Sequence, residues 1–172
     1  LALADRAHGG GIAVDASLRT SDPHIHAAGD VAALHHPLLG ARLRVEHWAN
    51  ALNGGPAAAR AMLGRAVSYD RLPYFFSDQY DLGLEYSGWA PPGSYDQVVL
   101  RGDVGKRRFV AFWLKDRRVL AGMSVNVWDV TEPVQALIRA GATGVAVDPE
   151  ALADPSVPPA SLLPGGQPGR RP

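Results

Sequence analysis

Two places in this sequence combine residue types that can do chemistry. The first is Thr20–Val31, reading TSDPHIHAAGDV. Small residues at Ala27, Ala28 and Gly29 let another group approach the backbone, and Asp30 follows at the end of a short apolar run, His24–Ala28. Open α/β sheets place their ligands at such strand ends, and a carboxylate there accepts hydrogen bonds from sugar-like hydroxyls. A buried strand with a polar stop carries the same pattern, so spacing alone leaves both readings open. The second place is the start of a helix expected over Val45–Leu63, with Glu46 in its first turn. Free N–H groups at a helix N-terminus form a ready anion site. His24, His26, His35 and His36 lie close in sequence, yet they include no HxxxH pair, and ordinary strand and loop histidines are the simpler account. The chain has no Cys, which removes disulfides, thiolate metal sites and a CxxC redox pair. Gly9-Gly10-Gly11 lacks both the GxGxxG spacing and a following GK[ST], so it reads as a flexible turn.

The elements that must position these residues follow from local pattern. Leu1–His8 reads as the end of a helix, and Ile12–Asp15 with Leu18–Ser21 as a small hairpin. Thr20-Ser21-Asp22-Pro23 is a turn, because Pro23 fixes its own φ and biases Asp22 away from helix. A loop is expected from His35-His36-Pro37 to about Arg44. Gly54-Gly55-Pro56 should kink or divide the helix after it, since an interior proline costs ~3 kcal/mol or more. Beyond a linker at Ser68–Pro73 the chain turns β-rich and aromatic. Asp81–Tyr86 alternates, with Leu82, Leu84 and Tyr86 on one face, and Gln97–Arg101, Arg108–Leu114 and Arg118–Asn126 continue as strands of an antiparallel meander. A helix is expected over Asp129–Ala140, with Asp129 as N-cap, Glu132 three residues on, Pro133 in its first turn, Val134, Leu137 and Ile138 as its apolar face, and Gly141 as its stop. A disordered tail is expected over 164–172.

Length and composition bound the function class. The 172 residues, 47% hydrophobic and 20% charged, fit a globular protein of one domain or one domain plus part of another. Lys+Arg 17 balances Asp+Glu 17, which gives no support for nucleic-acid binding. No apolar run is long enough to span a bilayer, no signal peptide is visible, and a cytoplasmic location is expected. Leu1 opens the chain inside apparent domain structure, so it reads as a piece of something longer.

Three stretches in order, TSDPHIHAAGD (Thr20–Asp30), RVEHWANA (Arg44–Ala51) and PYFFSDQYDLGLEYSG (Pro73–Gly88), together resemble the C-terminal part of FAD-dependent NAD(P)H:ferredoxin reductases. These belong to the pyridine nucleotide-disulfide oxidoreductase superfamily and are related to apoptosis-inducing factor. RRFVAFWLKDRRVLAGMSVNVWD and DPSVPPASLL further on fit the same C-terminal domain. The resemblance implies an α/β remnant of an FAD-binding domain over 1–66, then an α+β C-terminal domain over 67–163, an antiparallel sheet of about five strands with a packed helix. It implies that Gly29 and Asp30 match the second FAD motif, whose Asp binds a ribityl hydroxyl, and that Glu46, His47 and Trp48 match the segment whose helix start faces the pyrimidine edge of the isoalloxazine. It places Phe76, flanked by Phe75 and Ser77, next to the flavin.

The resemblance also implies a flavoprotein oxidoreductase that takes a hydride from NAD(P)H onto FAD and passes electrons to a [2Fe–2S] ferredoxin or a rubredoxin. Arg42, Arg44 and Lys106 are candidates to meet an acidic carrier. No side chain here is expected to act as acid, base or nucleophile, because the cofactor carries the chemistry. The first FAD motif and the NAD(P)-binding domain are absent from these residues, so the piece alone is expected to be inactive and to hold little FAD. The alternative is an FAD-free folded interaction or dimerisation module, with a homodimer as one form.

Overall fold

A computed structural model describes residues 1–4 and 9–165 and divides the chain into two compact units, Leu1–Pro73 and Tyr74 onwards. The division falls a few residues beyond the composition shift, because Val67 and the buried Tyr69 still pack into the first unit's core.

The first unit is a three-stranded sheet with one helix. Strand β1 (Ile12–Val14) pairs in parallel with β2 (Ala32–His36), which pairs antiparallel with β3 (Ala41–Arg44). The expected loop from His35 to Arg44 is therefore a hairpin. Its register sets Leu34 opposite Leu43, both buried, and Gly40 N–H closes the turn on the His36 carbonyl at 3.0 Å. Ala2–Ala4 lie extended beside β1 rather than in a helix, through a bridge of Leu3 with Ile12 and the bond from Ala4 N to Gly11 O. The rest of that expected helix end, 5–8, lies outside the described residues, as does most of the expected tail, 166–172.

The expected turn at Thr20–Pro23 forms. The Asp22 carboxylate accepts from His24 N–H at 2.9 Å, and Ile25 N–H closes on the Asp22 carbonyl. The arms it joins pair only at Arg19 with His26, so the Leu18–Ser21 arm turns toward His26, not back along β1. The run His24–Ala28 thus forms a single bridge, and the true strand, β2, begins after Asp30. Helix α1 (Trp48–Met62) is one α-helix that continues through Pro56. Buried Gly54, Ala57 and Ala58 dock its inner face, while Leu52, whose carbonyl Pro56 cannot bond, is on the solvent side. Tertiary docking has here outweighed the local break.

The second unit is a five-stranded antiparallel sheet covered on one face by a helix. Its strands are β4 (Tyr74–Gln79), β5 (Leu82–Gly88), β6 (Gln97–Asp103), β7 (Arg108–Lys115) and β8 (Arg118–Val125), in the spatial order β4-β5-β8-β7-β6. Only β6-β7-β8 is a meander. β5 pairs with β8, so the chain crosses to the far edge before β6. Local alternation marks the hairpins but cannot say which one closes on which. Asp116 and Arg117 both have positive φ in the two-residue β7–β8 turn, the geometry that matches strand twist.

Helix α2 (Thr131–Ala142) buries Val134, Leu137 and Ile138 against the sheet, as its spacing predicts. Gly122 on β8 leaves room for Val134, and Phe112 packs beside it. Two expected caps shift. Val130, not Asp129, is the N-cap, and Asp129 sits at φ 61° outside the helix. Gly141 lies inside the helix and lets it approach Val119 of β8, so the chain leaves the helix through Thr143 and Gly144. A short helix, α3 (Pro149–Ala153), follows, capped by the Asp148 carboxylate, which accepts from Glu150 N–H, and it buries Leu152 against the sheet.

Candidate functional site

The first unit brings its two chemically interesting stretches together. Gly29, Asp30 and Val31 form one 3-10 turn at the head of β2, with Gly29 buried at φ 73°. Asp30 therefore precedes a strand instead of ending one. A Cβ on Gly29 would lie 3.4 Å from that of Ala51, and one on Gly54 would lie 3.6 Å from Gly29 N. The turn and α1 therefore touch backbone to backbone, which needs small residues on both sides. Ala51 is one turn from the helix start, so exposed Asp30 and the helix mouth sit in the same neighbourhood.

The mouth itself is well anchored. His47 is the N-cap in an extended conformation, and its carbonyl accepts from Asn50 N–H at 2.9 Å. The first N–H groups of the helix, those of Trp48 and Ala49, have no partner within it. Asn50 Nδ2 donates to Val45 O at 2.9 Å. The Tyr69 hydroxyl lies 3.3 Å from Asn50 O and 3.2 Å from Asn50 Oδ1. Burial pushes the Tyr69 hydroxyl's pKa up, so it stays a neutral donor. Glu46 falls outside the first turn, because β3 runs extended to Arg44 and the helix begins only after His47. Its carboxylate pairs with the Arg44 guanidinium. Trp48 stands 70% exposed at the mouth.

The remaining candidates are placed as follows. Phe76 lies on edge strand β4 of the second unit, opposite Glu85 and 55% exposed, while Phe75 stacks on Tyr86 at 5.2 Å. Arg42 is committed inside the first unit, donating to Val14 O and Ala33 O, and Lys106 pairs with Asp103 at 3.1 Å. Of the three cations considered for a carrier, each has an internal partner. Among the described residues no three His, Asp or Glu side chains gather in metal-binding geometry. The sequence reading missed Ala51 and Gly54. For Gly54 the signal is a glycine inside an otherwise helical run, which marks a close approach; Ala51 carries no signal of its own.

A turn presenting a carboxylate beside a helix mouth, attached in sequence to a five-stranded antiparallel sheet, is a distinctive combination. The family model described as "Reductase C-terminal" matches residues 74–163, and that of "Pyridine nucleotide-disulphide oxidoreductase" matches residues 3–55. The chain belongs to the reductase C-terminal family. It is 41% identical over 148 residues to the ferredoxin–NAD(+) reductase component of the anthranilate 1,2-dioxygenase system of Burkholderia cepacia, covering 86% of this chain and 35% of that protein. It is 34% identical to putidaredoxin reductase of Pseudomonas putida, covering 86% and 34%. Among solved structures, the ferredoxin reductase for the CYP199A2 system of Rhodopseudomonas palustris aligns with a TM-score of 0.76 at 37% identity, over 90% of this chain and 36% of that one. The reductase in the covalent putidaredoxin reductase–putidaredoxin complex aligns with a TM-score of 0.74 at 32% identity, over 88% and 35%. This member of the family therefore spans about a third of the length of the relatives it matches. No helix among its described residues is long and apolar enough to cross a membrane.

Proposed function

We propose that this chain is the C-terminal portion of an FAD-dependent NAD(P)H:ferredoxin reductase. Bound FAD would supply the redox chemistry, hydride uptake from a nicotinamide and single-electron release to an iron–sulfur carrier. The residues of this chain hold and tune it. Gly29 allows the turn to meet the helix, and Asp30 offers its carboxylate to a ribityl hydroxyl. The N–H groups at Trp48 and Ala49, entered through His47, would offer donors to the electron-rich pyrimidine edge. A helix N-terminus stabilises negative charge there by ~0.3–1 kcal/mol, up to ~2 in a partly buried site. Glu46 steadies the approach to the helix through Arg44. The carrier is a ferredoxin of the [2Fe–2S] class, with rubredoxin as the alternative. The relatives' names, which specify ferredoxin reductases, support a ferredoxin as the partner.

The observation that carries the reading is the packing of the Gly29–Val31 turn on the first turn of α1. The residues fit the cofactor in type: an exposed acceptor, Asp30, and the open backbone donors of the α1 start belong to elements joined by the Gly29–Ala51 contact. Titrating FAD into the chain and following flavin fluorescence tests it. Weak, saturable quenching that Asp30→Ala reduces several-fold is the expected result, with little flavin retained through purification. Quenching that Asp30→Ala leaves unchanged removes the assigned role of Asp30, and stoichiometric flavin after purification contradicts the expected loss.

One feature favours the second reading, an FAD-free module that associates with another chain. Trp48, Leu52, Met62 and Leu63 are all exposed along α1, an apolar stripe at helical spacing. A concentration-dependent dimer without flavin, dissociated by Leu52→Glu, would favour that module over the reductase portion.

A further inference from the structure

Trp128 stands in the loop between β8 and α2 and is 57% exposed, yet it is held firmly. Its ring lies over Gly83 of β5, where any Cβ would overlap it. Asn126 fixes the loop to the same residue: its N–H donates to Gly83 O at 2.9 Å, and its Oδ1 accepts from Gly83 N–H at 2.8 Å. Asn126 Nδ2 donates to Asp81 O at 3.1 Å. Asn126 and Asp129 on either side of Trp128 both take positive φ, 50° and 61°. Asn and Asp adopt that region readily, and here it gives the loop the tight turn that lays Trp128 back over β5. A buried indole would repay this arrangement through burial, but this one keeps more than half its surface in water.

The surroundings say what the open ring suits. Asp78 Oδ1 crowds the same space above Gly83, which puts a carboxylate beside the indole. The two stretches that build the patch, 74–88 and 126–138, contain Asp78, Asp81, Glu85, Asp129 and Glu132 but no Lys or Arg, in a chain of zero net charge. Among the described residues, the ion pair given to these carboxylates is Arg107 with Asp81 at 3.1 Å. Tyr80, in the β4–β5 turn, adds exposed aromatic surface to these stretches. An aromatic face with a carboxylate beside it attracts a cation.

We propose that Trp128, with Asp78 beside it, is a docking platform for a basic surface of a partner protein, seating an arginine or lysine side chain on the indole. This platform is independent of the flavin reading and has the opposite charge preference from a cationic carrier-docking edge.

A tetra-arginine peptide titrated into the ¹⁵N-labelled chain tests it. The Trp128 indole N–H and the Gly83 amide should shift saturably, with tetra-glutamate giving no such shift. Trp128→Leu should weaken the peptide about three- to ten-fold, Trp128→Phe less, and Asp78→Asn about two- to three-fold. Should Trp128→Leu fail to fold, Trp128→Phe and Asp78→Asn carry the test. Affinity unchanged in the folded variants overturns the platform. So do shifts spread over the surface that leave Trp128 and Gly83 unmoved.

Discussion

The two units of this chain are built on opposite packing economies. The first fills its core with Val14, Leu18, Ala27, Ala32, Leu34, Ala57, Ala58 and Tyr69, largely small side chains, and leaves an apolar stripe of α1 in water. The second locks Phe112, Leu114, Leu137, Ile138 and Leu152 almost completely away from solvent. Each such side chain contributes ~1.5–3 kcal/mol by burial, whereas an alanine contributes a fraction of that. The contrast teaches where each unit's order comes from. The second is held by a dense sheet–helix core. The first is held by backbone-close contacts and by polar anchors such as His36, whose Nε2 meets Arg71 O at 3.0 Å while its Nδ1 accepts from Leu39 N–H. Those same close contacts bring Asp30 beside the helix mouth.

If the contrast is right, the units melt in two transitions, and substitutions move only their own. The largest effect should come from Phe112→Ala, which removes ~3–5 kcal/mol from the second unit. Denaturant titration followed by Tyr69 and Trp113 environments should show the later transition falling while the earlier one stays. A single shared transition would break the comparison. His36→Ala comes next, with about 1–3 kcal/mol lost from the first unit, because Arg71 O and Leu39 N–H lose their partner in a buried place. Amide exchange at Leu39 should speed up in step.

Gly55→Ala works in the other direction. Nothing beyond its own helix and chain neighbours lies within 4 Å of a Cβ there, so helix propensity, worth ~0.5–1 kcal/mol, should leave a small net gain in the first unit after the crowding a Cβ meets from the Pro56 ring. A loss of stability would mean that α1 is strained at Gly55-Pro56 in a way its continuity hides.

The smallest effects are those of pH. Burial and the bond to Glu85, 2.6 Å away, push the Tyr74 hydroxyl up to about 12. A raised folded-state value means the contribution is complete below the unfolded tyrosine's ~10 and is lost as pH rises through about 12. Alkaline difference absorbance should show Tyr69, Tyr74 and Tyr86 titrating late, with Glu85→Gln moving only the Tyr74 step earlier. Asp15 behaves in mirror image. Burial opposes ionisation, but bonds from Ser17 and Arg19 win and hold its carboxyl below the ordinary range. Its contribution to the first unit is present above the unfolded carboxylate's ~3.9 and disappears as pH falls through the lowered folded value. Melting near that range in Asp15→Asn and in the unaltered chain should converge.

Much of the fold could be read locally. The Thr20–Pro23 turn, the apolar face of α2 and most strand positions followed from turn residues and periodicity over a few neighbours. Of the site, the Gly-Asp pair and the approach to α1 were legible as residue types. Their proximity was not, because it rests on Gly29 meeting Ala51 and Gly54 meeting Ala28, contacts more than twenty residues apart. Asp129 had the composition of a cap but is held out of the helix by the tie of Asn126 to Gly83, more than forty residues away.

By itself, then, the sequence determined the Thr20–Pro23 turn, the helical stretches that became α1 and α2, and the strands β5 to β8, while the flavin residues were implied only by its resemblance to a family. Tertiary structure alone decided that β5 lies beside β8, that α1 runs on through Pro56, that Gly141 is a contact and not a stop, and that Asp30 lies in a turn that precedes a strand. Local preferences are worth about 1 kcal/mol or less per residue in most cases, and burying a large side chain or satisfying a buried backbone group is worth more. Where the two disagree, the distant partner wins.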